Sequence, residues 1–398
     1  MNDGKPVISV VVATHNRSVY AISAIRGILA IKSNDLQLVV HDSSDDGKLA
    51  AAVSEFAADN RFVYRHSETR LSMTDNYCQA LDLATADYVC VIGDDDGVSS
   101  AIVELAHWAK RHQVDAVVPK ISANYAWPDF RTARLGNRHA SRMYVIDYSG
   151  QWRWIDSKAA VTRSFGDATQ GTEGLTKLYH GIIARDVLIR IKAETGSYLH
   201  GVSPDISGAL SIGLRVDRFV EIDFPFSLPG AAGGSNTGRS AMGTHKGKLE
   251  DDPHIKPYRN LVWPDEIPRF FSVETVWAQA GYATLLANNI SPEKMNLARL
   301  YGLCLVTHGS YAGEIYKSIK SCSQGRNTSL VLMLIQVARY SIESLALKIF
   351  ALARRLMKPS VSAGRFFVSD IPDIQAAMSR LEEIIVERGI GWDDNLKD

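Results

Sequence analysis

The sequence predicts an α/β fold: a doubly wound, mainly parallel sheet with helices on both faces, followed by a helical C-terminal region. Three observations predict it. The first 120 residues alternate short β-branched runs with stretches of helical periodicity. Those runs are apolar throughout, as strands covered on both faces must be. After Pro268 the composition turns helical almost to the end.

Residues 7–13 (VISVVVA) form the first such run, and 18–31 follow as a helix with Ile22, Ile25, Ile28 and Leu29 on one face. Residues 36–41 make the second strand, ended by the turn-forming stretch 42–47. Leu49, Val53, Phe56 and Ala57 mark the next helix, and 62–64 a short third strand. Ser72 and Asp75 form an S-x-x-D cap ahead of Met73, Tyr77, Leu81 and Ala84 at helical spacing. Residues 88–92 (YVCVI) are the fourth strand and run into Gly93-Asp94-Asp95-Asp96-Gly97. A helix over 101–112 and a strand over 116–119 complete the alternation. Strands joined by crossover helices run parallel, and their ligand crevice lies beyond the carboxyl ends.

From about residue 121 the periodicity breaks, and aromatic residues interleave with Arg131, Arg134, Arg138 and Arg142. Residues 181–191 and 204–213 read as short helices and 216–224 as a strand. A domain boundary is expected near 265. The chain has 398 residues, 46% of them hydrophobic, which suffices for one large core or two. Its 44 Lys+Arg balance 44 Asp+Glu, so nothing in the bulk charge attracts a nucleic acid. Cysteines 78, 90, 304 and 322 form no C-x-x-C pair, which suits a reducing compartment. The run 7–13 is too short for a secretory signal, and no 18 uncharged apolar residues stand together. A cytoplasmic protein without a spanning helix is the expectation.

Three strand ends put chemistry into the predicted crevice: Thr14-His15-Asn16-Arg17, then Asp42, then Asp94, Asp95 and Asp96. Adjacent carboxylates in a partly dehydrated cleft repel one another unless a cation sits between them, and Mg²⁺ or Mn²⁺ suits such oxygen ligands. In an arbitrary loop the same triplet would be a solvated acidic turn. Its position directly after a buried strand favours the cation. Asp42 alone reads equally as an Asx-turn residue. Arg17 either neutralises a phosphate or closes the entry to the first helix.

Residues 7–17 (VISVVVATHNR), 39–46 (VVHDSSDD), 70–80 (RLSMTDNYCQA) and 88–97 (YVCVIGDDDG) together resemble the N-terminal half of a family 2 glycosyltransferase with the GT-A fold. The resemblance covers about 6–120 well, 170–245 loosely, and nothing beyond about 265. It implies a catalytic domain over 1–265, with a nucleotide-binding half (1–120) and an acceptor-binding half (121–265), before the helical region 266–398. It places Thr14, Asn16, Arg17, Asp42 and Asp94 around the nucleotide sugar. It makes Asp94, Asp95 and Asp96 the counterpart of the D-x-D motif that chelates the metal. The commonest form is D-x-D-D, and here Gly93 stands first, which leaves open which two aspartates hold the ion; Asp95 with Asp94 or Asp96 is favoured. His41 replaces an acidic residue of many relatives and reads as structural.

An acceptor hydroxyl also needs a base, and a positioned carboxylate contributes typically ~10²–10⁴-fold. Ser203-Pro204-Asp205 reads as an N-cap, a first-turn proline and an acid that complements the helix dipole. Its distance beyond the acidic triplet resembles the family's catalytic base, so Asp205 is the candidate, with Glu173 in reserve. Trp152, Trp154 and Tyr179-His180-Gly181 suit either sugar stacking or a buried core. The glycine-rich stretch 230–248 is not a Walker loop, because Thr244 stands where lysine is needed. It reads as a flap over a diphosphate or as a plain surface loop, with Arg239 and Lys246 on the phosphates and His245 as a third metal ligand. Residues 329–358, long, apolar and basic at the end, either pack on neighbouring helices or lie on a membrane surface.

The function expected is an inverting, metal-dependent transfer from a nucleoside-diphosphate sugar, UDP by family frequency, to a saccharide or lipid-linked acceptor in surface polysaccharide assembly. A nucleotidyltransferase and a non-catalytic nucleotide-sugar-binding relative are the rival expectations.

Overall fold

The structure, a computed structural model, describes residues 5–357 and 365–392, the side chains of 355–357 excepted. An eight-stranded sheet runs in the order Phe62–His66, Leu36–Asp42, Ile8–Thr14, Tyr88–Ile92, Ile182–Ala184, Ala116–Pro119, Phe219–Ile222, Trp152–Trp154. Six strands run one way. Ile182–Ala184 and Trp152–Trp154 run against them. The GT-A-like, mainly parallel sheet expected from the sequence is therefore present, with Ile8–Thr14 fully buried and flanked by parallel partners on both sides.

One element differs. Residues 181–191 do not form a single helix: Ile182–Ala184 is a strand, and the helix starts at Arg185. Ile182 and Ile183 are wholly buried between Tyr88–Ile92 and Ala116–Pro119, where only extended backbone can satisfy the facing N–H and C=O groups. The fourth and fifth strands of the opening alternation are thus separated by a later one.

The aperiodic middle of the chain builds smaller sheets. Ala123–Ala126 pairs with Arg142–Val145, with Gly230–Ala231 on one edge and Phe366–Val368 on the other. Gly97–Val98, directly after the acidic triplet, pairs with Ser227–Leu228. The stretch 230–248 is accordingly no open loop: it contains an edge strand and the short helix Asn236–Ala241. Trp152 and Trp154 sit on the edge strand of the main sheet, with Trp152 against Trp108.

Packing does not follow chain order. One core joins a face of the main sheet to Ile374, Met378 and Leu381 of the helix Ile374–Arg388. A second runs from Ala160 to Val337 and continues across residue 265. A third fills the other face of the sheet. The helix Leu330–Met357 lies along Leu297–Thr307, where a Cβ on Gly302 would stand 2.8 Å from the Ser341 backbone nitrogen. Its span Leu330–Arg354 has 25 residues and a mean hydropathy of 1.5. By length and composition alone it can cross a membrane, contrary to the expectation that no segment could. The four cysteines are free, and three are buried.

The helix Ile374–Arg388 is keyed to the front of the chain by Met378, whose Sδ would lie 2.6 Å from a Cβ on Gly27 and 2.7 Å from one on Gly97. A thioether filling a gap between two glycines leaves a cavity when truncated. Met378→Ala should therefore destabilise the fold by about 2–5 kcal/mol, read as a lower urea midpoint at unchanged m-value.

Candidate active site

The acidic triplet hangs between two strands, Tyr88–Ile92 before it and Gly97–Val98 after it. The chain that continues from the second strand's partner, Ser227–Leu228, carries backbone N–H groups past the carboxylates. Gly230 donates to Asp96 Oδ1 at 2.6 Å and Ala232 to Asp95 Oδ2 at 3.0 Å. The approach is close enough that a Cβ on Gly230 would fall 1.8 Å from the Asp95 carbonyl oxygen. Gly93 N–H donates to Asp96 Oδ2 at 2.7 Å, and the Trp127 indole N–H to the Asp95 carbonyl at 2.9 Å.

The first strand end supplies the rest of the cage. Thr14 Oγ1 donates to Asp94 Oδ2 and Arg17 Nε to Asp94 Oδ1, both at 2.7 Å. Arg17 Nη2 stands 3.2 Å from Asp95 Oδ2, and its guanidinium lies over the Tyr20 ring. His180 Nε2 is 3.3 Å from Asp96 Oδ2, while its Nδ1 is buried without a partner. All three carboxylates are at most 7% exposed.

Their acidities diverge accordingly. Burial and the charges of Asp96 and Asp94 push Asp95 up to about 8. Burial also raises Asp94, against the pull of Arg17. Asp96 is lowered, because His180 and the Gly230 and Gly93 N–H groups outweigh its burial. The triplet thus holds more negative charge than its own cationic neighbours offset, and Asp95 carries the excess.

A cavity of about 730 Å³ opens in front of it. Thr14, Arg17, the three aspartates, Asp205 and Arg239 all line this cavity, so the structure brings these sequence candidates together. Asp205 occupies the first turn of the helix Pro204–Gly213 behind Pro204, as the sequence predicts, although Ser203 makes no side-chain cap. Burial raises Asp205 to about 6, with His180 pulling it down and Asp96 pushing it up. Among the described residues it accepts no hydrogen bond. Arg239 is paired to Asp252 at 2.5 Å.

Other candidates lie elsewhere. Asp42 is fully buried: Oδ1 accepts from Ser44 N–H and Oδ2 from the Tyr64 hydroxyl, so it serves the turn. Asn16, at φ 56°, is exposed and exchanges hydrogen bonds with Asp45. Neither lines the cavity. His245 does not line it either; its ring packs 4.9 Å from Phe271, its Nδ1 meets Ser240 Oγ, and burial lowers its pKa to about 4. Glu173 is exposed, and Trp152 and Trp154 are remote from the cavity lining. His41 is structural, with Nδ1 bonded to Asn76 Oδ1 at 2.6 Å inside the protein.

Sequence reasoning named Tyr179-His180-Gly181 only for sugar stacking or the core and gave Arg70, Lys177 and His254 no role, although Tyr179, His180 and these three share the cavity. Burial lowers the Lys177 pKa. His180 is turned inward by a left-handed backbone at φ 65°, with its N–H bonded to the Val91 carbonyl. No local pattern announces that conformation.

Residues 9–163 match the model of glycosyl transferase family 2. The matched segment carries Thr14, Arg17 and the three aspartates and is well under half of the chain. Among solved structures, S. aureus TarS is similar at 13% identity and a TM-score of 0.40, over 57% of this chain and 37% of that one. TarS 1–349 in complex with UDP-GlcNAc is similar at 13% identity and a TM-score of 0.43, over 79% of this chain and 78% of that one. TarS 1–349 in complex with UDP gives 14% and 0.37, over 57% and 61%. The chain thus spans well under half the length of the first of these proteins. No curated protein matches.

Asp95 yields a pH prediction. Its folded-state pKa lies above that of an unfolded aspartate, so its contribution to stability is present in full below about pH 4 and is lost as pH rises to about 8. Without divalent cations, thermal unfolding should show this contribution falling between about pH 5 and 8, by at most about 1.4 kcal/mol per pH unit, and levelling above that. Asp95→Asn should flatten that slope and be the more stable protein at pH 9.

Proposed function

We propose that the enzyme transfers a sugar from a nucleoside-diphosphate sugar to a hydroxyl of a saccharide or lipid-linked saccharide, with inversion and with Mg²⁺ or Mn²⁺ bound at the triplet. One observation carries the reading: a buried carboxylate triplet and an unbonded, raised-pKa Asp205 line the same cavity.

The donor set fits a hard cation. Asp95 Oδ1 accepts no hydrogen bond from a described residue, and its high proton affinity marks charge that a divalent ion would satisfy. Among the described residues no group of three or more His, Cys, Asp or Glu side chains is arranged as a metal site. Two carboxylates completed by substrate phosphates are the usual arrangement for Mg²⁺, so Asp95 with Asp94 or Asp96 would hold the ion. His245 has no part in it. When bound, the ion stabilises negative charge on the departing diphosphate.

The chain's own groups do the remainder. Arg17, Arg70 and Arg239 put positive charge around the cavity for the diphosphate. Asp205 takes the proton of the acceptor hydroxyl as its oxygen attacks the anomeric carbon. The carbon–oxygen bond to the diphosphate breaks on the opposite face, its electron pair leaves with the diphosphate, and one displacement inverts the centre. Tyr77 and Tyr179, in edge contact at 5.1 Å, line the same space and offer apolar surface to a sugar ring. A UDP-sugar is the first donor to test, and a role in surface polysaccharide assembly follows from the family resemblance.

Two outcomes check this reading. Calorimetric titration with a UDP-sugar should show Mn²⁺-dependent binding that Asp95→Ala weakens at least about tenfold; equal binding with and without metal would refute the cation site. Turnover, followed by nucleotide release, should rise with pH through about 6 as Asp205 ionises. Asp205→Asn should keep donor affinity and lose about 10²–10⁴-fold in kcat. A variant turning over at the wild-type rate would remove Asp205 from the reaction.

A further inference from the structure

The helix Leu330–Met357 is the most apolar exposed surface among the described residues, and the reaction makes no use of it. Over residues 330–354 only Met333 and Val337 are buried, and Leu330, Tyr340, Ser341, Glu343 and Ser344 are partly covered. The other residues of that stretch face solvent: Val331, Leu332, Ile335, Ile342, Leu347, Ile349 and Phe350 are each 58–70% exposed. At 100° per residue, Val331, Ile335, Ala338, Ile342, Leu345, Ile349 and Leu352 form one unbroken apolar stripe opposite the buried side. Soluble surfaces seldom show so continuous a patch unless something covers it.

The charges indicate what covers it. Across Leu330–Met357 the basic residues are Arg339, Lys348, Arg354 and Arg355 and the one acid is Glu343, although the whole chain is neutral. Glu343 is already matched by Arg299 of the neighbouring helix at 3.0 Å. By helical angle Arg339 and Lys348 border the stripe on its two sides, Lys348 with a long 3.4 Å hydrogen bond to the Val306 carbonyl, and long basic side chains at such borders reach the headgroup level while their stems stay apolar. A second copy of the chain would suit the stripe as a heptad seam. It would leave Leu332, Leu347 and Phe350, outside the seam, in water, and would supply no acid opposite Arg339 or Lys348. A spanning arrangement would pull Met333, Val337 and the Arg299–Glu343 pair out of the protein. We propose that this helix lies in the plane of an anionic lipid bilayer, with the stripe in the acyl boundary and its basic residues on the headgroups. The proposal is independent of the reaction assigned above.

The test is co-sedimentation of the full-length protein with vesicles of phosphatidylcholine alone or with 30% phosphatidylserine, a composition chosen at ~30% to set a substantial negative surface potential. Binding to the anionic vesicles, falling with salt and several-fold weaker on neutral ones, is expected. Ile342→Asp with Ile349→Asp should reduce binding at least roughly tenfold, and Arg339→Gln with Lys348→Gln about fivefold per charge removed. Unchanged thermal midpoints would show that both variants fold, as expected for exposed positions. Failure to sediment with either vesicle, or sedimentation untouched by the aspartates, would overturn the proposal. So would a stable dimer in sedimentation velocity that the aspartates dissociate.

Discussion

Three carboxylates on consecutive residues, each almost out of water, impose the requirement that the rest of the site answers. Left alone in a low-dielectric setting they could not all ionise. The protein surrounds them with donors of different kinds: a hydroxyl and a guanidinium from the first strand end, an imidazole from a left-handed residue, and backbone N–H groups from two directions. These partners do not finish the task. Against its burial, His180 and two backbone N–H groups hold Asp96 below the usual carboxylate range, whereas Asp95 is left with a high proton affinity. An incompletely compensated carboxylate beside a large cavity is the asymmetry on which the proposed cation site rests.

The requirement explains features far from the triplet. Gly230 must lack a side chain for its N–H to reach Asp96, so the strand Gly230–Ala231 passes directly over the Asp95 carbonyl. Gly97 must lack one because Met378 lies where a Cβ would stand. The helix Ser18–Leu29, entered at Arg17, is the other surface on which Ile374–Arg388 rests. Carboxylates, their principal counter-ion and the chain's last described helix are therefore mechanically one unit.

Much of this was legible in the sequence, and the limit of legibility is physical. Periodicity identified the first four strands and their helices because each is defined by which faces are buried. The S-x-x-D cap at Ser72, which accepts from Asp75 N–H, was visible because it is local. Asp94–Asp96, Arg17 and Asp205 were found because strand and helix ends dictate where side chains emerge. Ile182–Ala184 was missed because three residues before a helical pattern carry no strand signal, and only the vacant slot between two distant strands makes them one. His245 and Asp42 were drawn to the site by motif position. The structure gives the first to a pocket against Phe271 and the second to its own turn. His180 depended on a positive φ set by a contact with Val91, a constraint that exists only after the sheet has formed.

The cavity lies where separately built cores meet. Thr14 ends a strand of the main sheet and the triplet follows another, while Asp205 sits between Val202 and Ile206 of the second core, and Arg239, paired to Asp252, lines the cavity. Leu330–Met357 rests on the second core, and Ile374–Arg388 packs into the first. The proposed reaction needs Asp205 and the triplet held at a fixed separation. The helix Ile374–Arg388, locked onto Gly27 and Gly97 through Met378, stiffens the triplet's side of the cavity, and Leu330–Met357 packs on the side that carries Asp205. The C-terminal third is then part of both cores that meet at the cavity rather than an appendage to either.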